Sequence, residues 1–329
     1  MPADTTPKRQ EWNHVPETPI AVSPLWQWPP KPLAALRWYF DSWFFITVNL
    51  AIVAIAFVTF SFASPTLGQT TSFELTWMFV IWLRNAVLVS VLAGGLHIWF
   101  NTYSGQGMDL KFDPRPFPRK GRMFTFSSQL HDNIFWTIAS GVTIWSALEC
   151  LMWWAMANGY VSVITFQTNP VWFVAIFFLI PVWESFYFYW MHRFLHTDIM
   201  YRFHALHHRN SDIGPWSGLS MHPVEHAFYF GSVLIHFAIA SHPIHIVFHL
   251  MFYGLLAITS HTGFEGVLFR NKKRFHLGNF HHQLHHRYFE CNYGNRDVPW
   301  DILFGSWHDG TENGKAKLAE RLKSRKRQA

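Results

Sequence analysis

Apolar residues collect into long runs along this chain, and short polar segments separate the runs. Four runs reach the roughly 20 residues that a membrane-spanning helix needs; they are residues 41–62, 74–100, 133–156 and 170–191. A fifth apolar stretch, 223–260, has the length of a hairpin of two short helices, with a break at 241–243. The pattern predicts an all-α integral membrane bundle of about four transmembrane helices plus this hairpin.

The sequence predicts that the chain has three parts. Residues 1–36 are rich in proline and lack an apolar core, which predicts a flexible or surface-lying N-terminal arm. Residues 37–310 read as one membrane-embedded unit, and residues 311–329 as a basic C-terminal tail. No internal repeat or second soluble domain is evident in the sequence.

Composition supports the membrane prediction. Only 14% of the residues are charged and 19% are aromatic, whereas a soluble domain carries roughly 25% charged residues. The net charge of +6 is unevenly placed: segments 63–72, 158–169 and 241–243 contain no Lys or Arg, while the polar segments between them do. The positive-inside rule assigns the basic segments to the cytoplasm, so the charge indicates membrane orientation and not nucleic-acid binding.

Histidines cluster where the fourth apolar run ends. One cluster has the spacing HxxxH and then HxxHH, and a second HxxHH follows about 75 residues later. On a helix, residues three and four apart share a face, and neutral imidazole is the commonest metal ligand in proteins. Because burying so many rings together is costly without a cation, the spacing predicts a polynuclear metal site in a cap on the cytoplasmic side.

These motifs resemble the fatty acid hydroxylase/sterol desaturase superfamily. The boxes HRFLH, HALHH and HHQLHH carry the resemblance, together with the MHPVE, HTGFE and VPWDILFG segments at 221–225, 261–265 and 298–305. It covers roughly residues 130–310. The HxGxE segment and the WDxxFG ending favour the sterol-desaturase-like branch.

The resemblance implies an oxygen-dependent di-iron membrane oxidase that hydroxylates or desaturates a lipid of the sterol, sphingolipid or fatty-acyl type. The catalytic metal ligands that it implies are His192, His196, His204, His207, His208, His282, His285 and His286. Two further histidines, His222 and His261, match positions that complete the ligand set. The sequence leaves open whether His281 replaces His282, and whether His226 is a ligand or a neighbour.

Metal-bound imidazoles usually donate their second N–H to a carboxylate or a carbonyl. Five carboxylates within or beside the boxes are candidates for that role: Glu184, Asp198, Glu225, Glu265 and Glu290.

The implied cofactors are two iron ions, with O2 as co-substrate. Imidazole alone does not select iron, so zinc is a possible substitute in a purified sample. A separate electron donor is expected, such as a cytochrome b5, a ferredoxin or a reductase, because the sequence lacks haem-binding, CxxC and dinucleotide-binding motifs. A bacterial inner membrane and an endoplasmic reticulum both fit, with the active site facing the cytoplasm. The lipid, the choice between hydroxylation and desaturation, and the oligomeric state stay open.

Two other functions compete with the oxidase. A histidine-site metal transporter would place its ligands near the bilayer midplane, whereas these histidines lie where the apolar runs end. A mononuclear zinc lipid hydrolase would need only three or four protein ligands, an open water position and one ion.

Overall fold

The computed structural model describes residues 11–40 and 48–328, and within them the protein is mainly helical. Four helical stretches are long and apolar enough to cross a membrane, as predicted; they are Leu75–Thr102, Gln129–Ala157, Pro170–Leu195 and Pro243–Ser260. One of these four stretches is not among the four predicted spans. The fourth stretch is the second half of the predicted hairpin, while the described part of the first run is a shorter helix, Val48–Ala63. Residues 41–47 of that run lie outside the described residues.

The helices are numbered in chain order. They are α1 Pro32–Trp38, α2 Val48–Ala63, α3 Leu75–His97, α4 Gln129–Trp136, α5 Thr143–Ala157, α6 Pro170–Leu195, α7 Tyr201–His208, α8 Pro223–Phe230, α9 Pro243–Ser260, α10 Phe280–Tyr288, α11 Trp300–Leu303 and α12 Glu312–Gln328. A π-helical segment, Thr137–Val142, joins α4 to α5, and another, Ile98–Thr102, extends α3. Two short antiparallel strands, β1 Gly266–Phe269 and β2 Lys272–His276, form a hairpin.

Helix α9 is the centre of the bundle, with nearly every residue from Pro243 to Thr259 buried. Pro243 begins the helix, as the predicted break at 241–243 requires. Gly254 allows α5 to approach closely, because a Cβ at this position would lie 2.3 Å from the ring of Trp145. The apolar sequence of α9 therefore reflects burial among other helices as much as contact with lipid.

The three loops without Lys or Arg meet at one end of the bundle. The Thr70 hydroxyl donates to the Trp153 carbonyl at 3.3 Å, the Asn158 amide donates to the Thr71 carbonyl at 3.0 Å, and the Ser241 amide donates to the Ser162 carbonyl at 2.9 Å. The basic segments and the histidine boxes lie at the opposite end. The alternation predicted from charge is therefore observed, while the assignment of the histidine end to the cytoplasm stays a prediction.

One ion pair is buried between membrane-spanning helices. The Arg84 guanidinium on α3 donates to both carboxylate oxygens of Glu149 on α5, at 2.5 and 2.6 Å. Asn85 and Ser146 complete the network around the carboxylate. Because isolated charges are costly in an apolar setting, the pair fixes the register of α3 against α5.

The described part of the N-terminal arm lies across the histidine-rich cap. The Asn13 amide donates to the Phe112 carbonyl and the Ile20 amide to the Asp309 carbonyl, both at 2.8 Å. His14 bonds Glu265 at 2.7 Å. Residues 11–23 thus pack against the cap from outside, while the predicted division of the chain into an arm, a membrane unit and a tail stays a prediction.

Candidate metal centre

Nine imidazoles from four parts of the chain converge on two neighbouring points. In each group, one ring nitrogen per residue lies within 4.8 Å of the others. The first imidazole group consists of His192, His196, His204, His208 and His285, and the second imidazole group consists of His207, His261, His282 and His286. Every one of these residues except His196 is buried.

Each HxxHH box contributes to both groups. On α7, His204 and His208 are four residues apart and share the first group, while His207 points into the second. On α10 the arrangement is reversed, because His282 and His286 share the second group and His285 joins the first. Adjacent helical residues point about 100° apart, so the HH doublet directs one ring to each point.

Backbone carbonyls fix the orientation of four rings. The Nδ1–H of His192 donates to the Tyr293 carbonyl at 2.6 Å, and that of His285 donates to the Cys291 carbonyl at 2.7 Å. His261 donates in the same way to Ala257 at 2.7 Å, and His207 contacts the Ser220 carbonyl at 3.4 Å. A carbonyl can only accept, so the proton of each neutral ring lies on Nδ1 and the lone pair of Nε2 faces the group.

The inward nitrogens of each group lie close to one another. The Nε2 atoms of His261, His282 and His286 lie 3.1 to 3.2 Å from one another. In the first group, the Nε2 of His208 lies 3.0 Å from that of His285 and 3.1 Å from that of His196. Two nitrogens that each lie about 2.1 Å from one cation, roughly 90° apart, are about 3.0 Å from each other. The donor set therefore fits one cation in each group.

Burial also keeps these rings in the form that binds a cation. It lowers the pKa of His207 to about 4. Burial, together with neighbouring imidazoles, lowers the pKa of His204, His208, His282 and His286 well below the ordinary value. Neutral imidazoles with free lone pairs are the consequence at physiological pH.

The two groups lie side by side. Ring centroids of His208 and His286 are 5.1 Å apart, and those of His204 and His207 are 5.5 Å apart. On the other side, His282 lies 5.5 Å from His285. Cations in the two groups would therefore be close neighbours.

Three candidate histidines lie outside both groups. The Nδ1 of His222 accepts a hydrogen bond from the Val224 amide at 3.1 Å and caps α8. The ring is therefore engaged at the helix start and is in neither group. His226 bonds the Ser140 hydroxyl at 2.8 Å and the Leu219 carbonyl at 3.1 Å. His281 packs against the ring of Trp307, and His282 is the member of the doublet that joins a group.

The five candidate carboxylates have different surroundings. Only Glu225 is in direct contact with one of the nine rings, through a 2.7 Å bond to Nδ1 of His204. Glu290 accepts from the Tyr293 hydroxyl at 2.8 Å and so supports the residue whose carbonyl holds His192. Glu265 pairs with Lys273 and His14, and Asp198 is exposed.

Glu184 belongs instead to the wall of a cavity. Its carboxylate accepts from the Asn295 amide at 3.0 Å, and both residues line the cavity. The sequence analysis did not predict a role in the site for Asn295 or for the backbone carbonyls that orient the imidazoles. The reason is that backbone acceptors and a lone Asn carry no spacing signal.

The cavity has a volume of about 670 Å³ and reaches five of the nine imidazoles. Its apolar wall comes from α6 and α9, and includes Phe188, Met191, Leu195, Phe252 and Leu256. Ligand cavities of roughly 300–1,000 Å³ accommodate small organic molecules. The arrangement therefore brings an apolar molecule of moderate size up to both imidazole groups.

Comparison with known proteins agrees with this site. The fatty acid hydroxylase family model matches residues 174–306, which contain all nine imidazoles. The family model and the relatives support the fatty acid hydroxylase/sterol desaturase superfamily that the histidine boxes resemble. The predicted resemblance is thereby confirmed, and so is the prediction of an oxidoreductase, at that level of detail.

Named relatives of the chain are sterol enzymes. It is 26% identical over 255 residues to a Delta(7)-sterol-C5(6)-desaturase of Nicotiana tabacum, covering 72% of this chain and 86% of that protein. It is 33% identical over 132 residues to the lathosterol oxidase of Mus musculus, covering 39% of this chain and 43% of that protein. A C-4 methylsterol oxidase of Schizosaccharomyces pombe is 31% identical over 144 residues, covering 41% of this chain and 47% of that protein.

The chain thus spans most of the tobacco relative and less than half of the other two. No solved structure is significantly similar to it. Together, the similarity to these relatives and the four long apolar helices support an integral membrane protein related to lipid oxidases.

Proposed function

We propose that this protein is an oxygen-dependent di-iron oxidase that hydroxylates or desaturates a C–H bond of a membrane lipid, with a sterol as the favoured substrate class. The observation that carries the proposal is the pair of adjacent imidazole groups beside a cavity with one apolar wall. The names of the relatives favour a sterol over a sphingolipid or a fatty-acyl chain.

The first imidazole group would hold one iron ion and the second group the other. Two bound iron ions supply reductive activation of O2 and oxidation of an unactivated C–H bond. The residues of the chain determine the setting for that chemistry. Tyr293, Cys291, Ser220 and Ala257 hold four Nε2 lone pairs inward through their carbonyls, and Glu225 holds His204.

The cavity wall positions the lipid and excludes water. The Phe188 ring lies 5.0 Å from the His192 ring, next to the first imidazole group, and Phe252 and Leu256 continue the apolar surface along α9. Hydrocarbon that binds against this apolar wall is removed from water, which favours its binding. Glu184 and Asn295 form a polar site in this wall, suited to a hydroxyl group of the lipid.

The competing functions account for less of the geometry. A mononuclear zinc hydrolase needs three imidazoles and one ion, which leaves most of the nine without a role. A transporter site lies at broken helices near the midplane, whereas these imidazoles lie at the ends of α6 and α9 and on α7 and α10.

The test is lipid analysis of cells with and without the protein, with the His207→Ala variant as the inactive control. The proposal expects a lipid that is heavier by one oxygen or lighter by two hydrogens only with the unaltered protein. An unchanged lipid profile, with iron bound and reductant present, would contradict it.

A further inference from the structure

The nine imidazoles differ in whether they line the cavity. Those on the substrate side line the cavity; they are His192, His204, His207, His261 and His282. His196, His208, His285 and His286 do not line it. His196 is the one member of the two groups that is only half-buried. Little protein therefore separates this side of the centre from solvent.

An exposed aromatic ring lies over the half-buried His196. Tyr201 begins α7, and 37% of its surface is exposed. Its ring centroid lies 5.7 Å from that of His196 and 6.2 Å from that of His208. Half-buried Phe289 lies 4.9 Å from His208 on the same side. The first imidazole group is therefore one aromatic ring away from solvent here.

Two arginines lie close in sequence to these residues: Arg202 follows Tyr201 on α7, and Arg193 precedes His196 by three residues at the end of α6. The Arg193 guanidinium lies 4.8 Å from the Tyr293 ring, and the Arg202 guanidinium lies 4.6 Å from the Phe203 ring. Among the described residues neither arginine forms an ion pair with a carboxylate. The acidic groups on this face are exposed Asp198 and half-buried Glu290.

The basic C-terminal helix adjoins the same face. Arg321 on α12 donates to the Glu290 carbonyl, which places the helix beside Phe289. The sequence of α12 contains seven Lys or Arg and two Glu. The aromatic patch is thus bordered by an excess of positive charge, and the cavity that would admit a lipid lies on the other side of the imidazoles.

We propose that the face formed by Tyr201, Phe289, Arg193, Arg202 and α12 is the docking surface for an acidic one-electron carrier protein. The inference rests on the proposed function, since only a redox centre needs such a partner. At each encounter the reduced haem or iron–sulfur iron of the carrier would lose one electron, and iron held by the two imidazole groups would accept it. Two encounters supply the two electrons of a turnover, and Tyr201 and His196 lie on the short path between the two proteins.

The experiment measures carrier binding and not turnover. The full chain in nanodiscs of uncharged phosphatidylcholine is titrated with the soluble haem domain of a cytochrome b5 and, separately, with a plant-type ferredoxin. Arg202→Glu should weaken binding of the preferred carrier about tenfold at low ionic strength, because reversing a charge at an interface rim removes attraction and adds repulsion. In roughly 1 M salt, where screening acts within about 3 Å, the difference should disappear.

Arg274→Glu is the matched control. Arg274 is exposed on β2, close to the cavity mouth formed in part by Lys273 and His276. The same charge reversal there should leave carrier affinity unchanged. Equal weakening by both variants, no weakening by either, or no binding of either carrier to the unaltered protein would overturn the proposal. So would a result in which Arg202→Glu reduces binding only when anionic lipid is added, because the surface would then serve the membrane.

A second variant tests the path. Tyr201→Ser should slow reduction of the iron-loaded protein by the carrier, and Tyr201→Phe, which keeps the ring, should not. Reduction by dithionite and the iron content should be the same in all three proteins. Failure of the proposed function would appear differently, as an absence of reducible iron in the unaltered protein. Equal rates for Tyr201→Ser and the unaltered protein would remove Tyr201 from the path.

Discussion

Glu225 provides the sharpest test of how the first imidazole group is built. Its carboxylate is buried and lies 2.7 Å from Nδ1 of His204, whose other nitrogen faces the group. Carboxylates in this position raise the basicity of a ligand imidazole, and their loss typically reduces metal affinity 10–100-fold. Glu225→Gln keeps an acceptor and removes the charge, so affinity should fall about tenfold, or about 1.4 kcal/mol. Glu225→Ala removes both, which moves the expected loss toward about 100-fold.

The assay is competition for iron against a chromophoric chelator of known affinity, with purified protein in detergent. Glu265→Gln is the matched control, because Glu265 pairs with Lys273 and His14 and not with a ring of either group. Its iron affinity should equal that of the unaltered protein. If Glu225→Gln and Glu225→Ala both retain full affinity, the reasoning that assigns Glu225 to His204 is wrong.

Further predictions concern the second imidazole group, acid stability and the buried ion pair. His207→Ala removes one of the four imidazoles of the second group and should weaken retention of one of the two ions, so that iron content after removal of loosely bound metal falls below that of the unaltered protein, while His222→Ala should leave the content unchanged; elemental analysis checks both. Between pH 6.5 and 4 the unfolded chain binds more protons at His207 than the folded chain does, so the stability of metal-free protein should fall as pH is lowered, which thermal unfolding at several pH values measures. Glu149→Ala should destabilise the bundle by about 3 kcal/mol by leaving Arg84 unpaired, seen as a lower denaturation midpoint in detergent; an unchanged midpoint would contradict the buried pair.

The helical bundle was largely predictable because long apolar runs and uneven charge are strong signals. The central place of α9 was less evident. An apolar run reads the same whether lipid or other helices surround it, and only packing contacts, such as that of Gly254 with Trp145, separate the two cases.

The site was predictable to the level of residue spacing. HxxxH and HxxHH indicate shared helix faces, and eight of the predicted box histidines together with His261 do converge. The division of each HxxHH box between two groups depends on how α7 and α10 are oriented toward each other, which spacing alone does not fix. His222, which the resemblance adds to the ligand set, caps α8 and lies outside both groups, and a motif match alone does not reveal such a cap.

The direct test of the central claim is the number of iron ions per chain, measured by elemental analysis after anaerobic reconstitution and removal of loosely bound metal. Two ions per chain are expected, one for each imidazole group. A stoichiometry of one, with no second ion bound at any iron concentration tested, would contradict the two-ion oxidase.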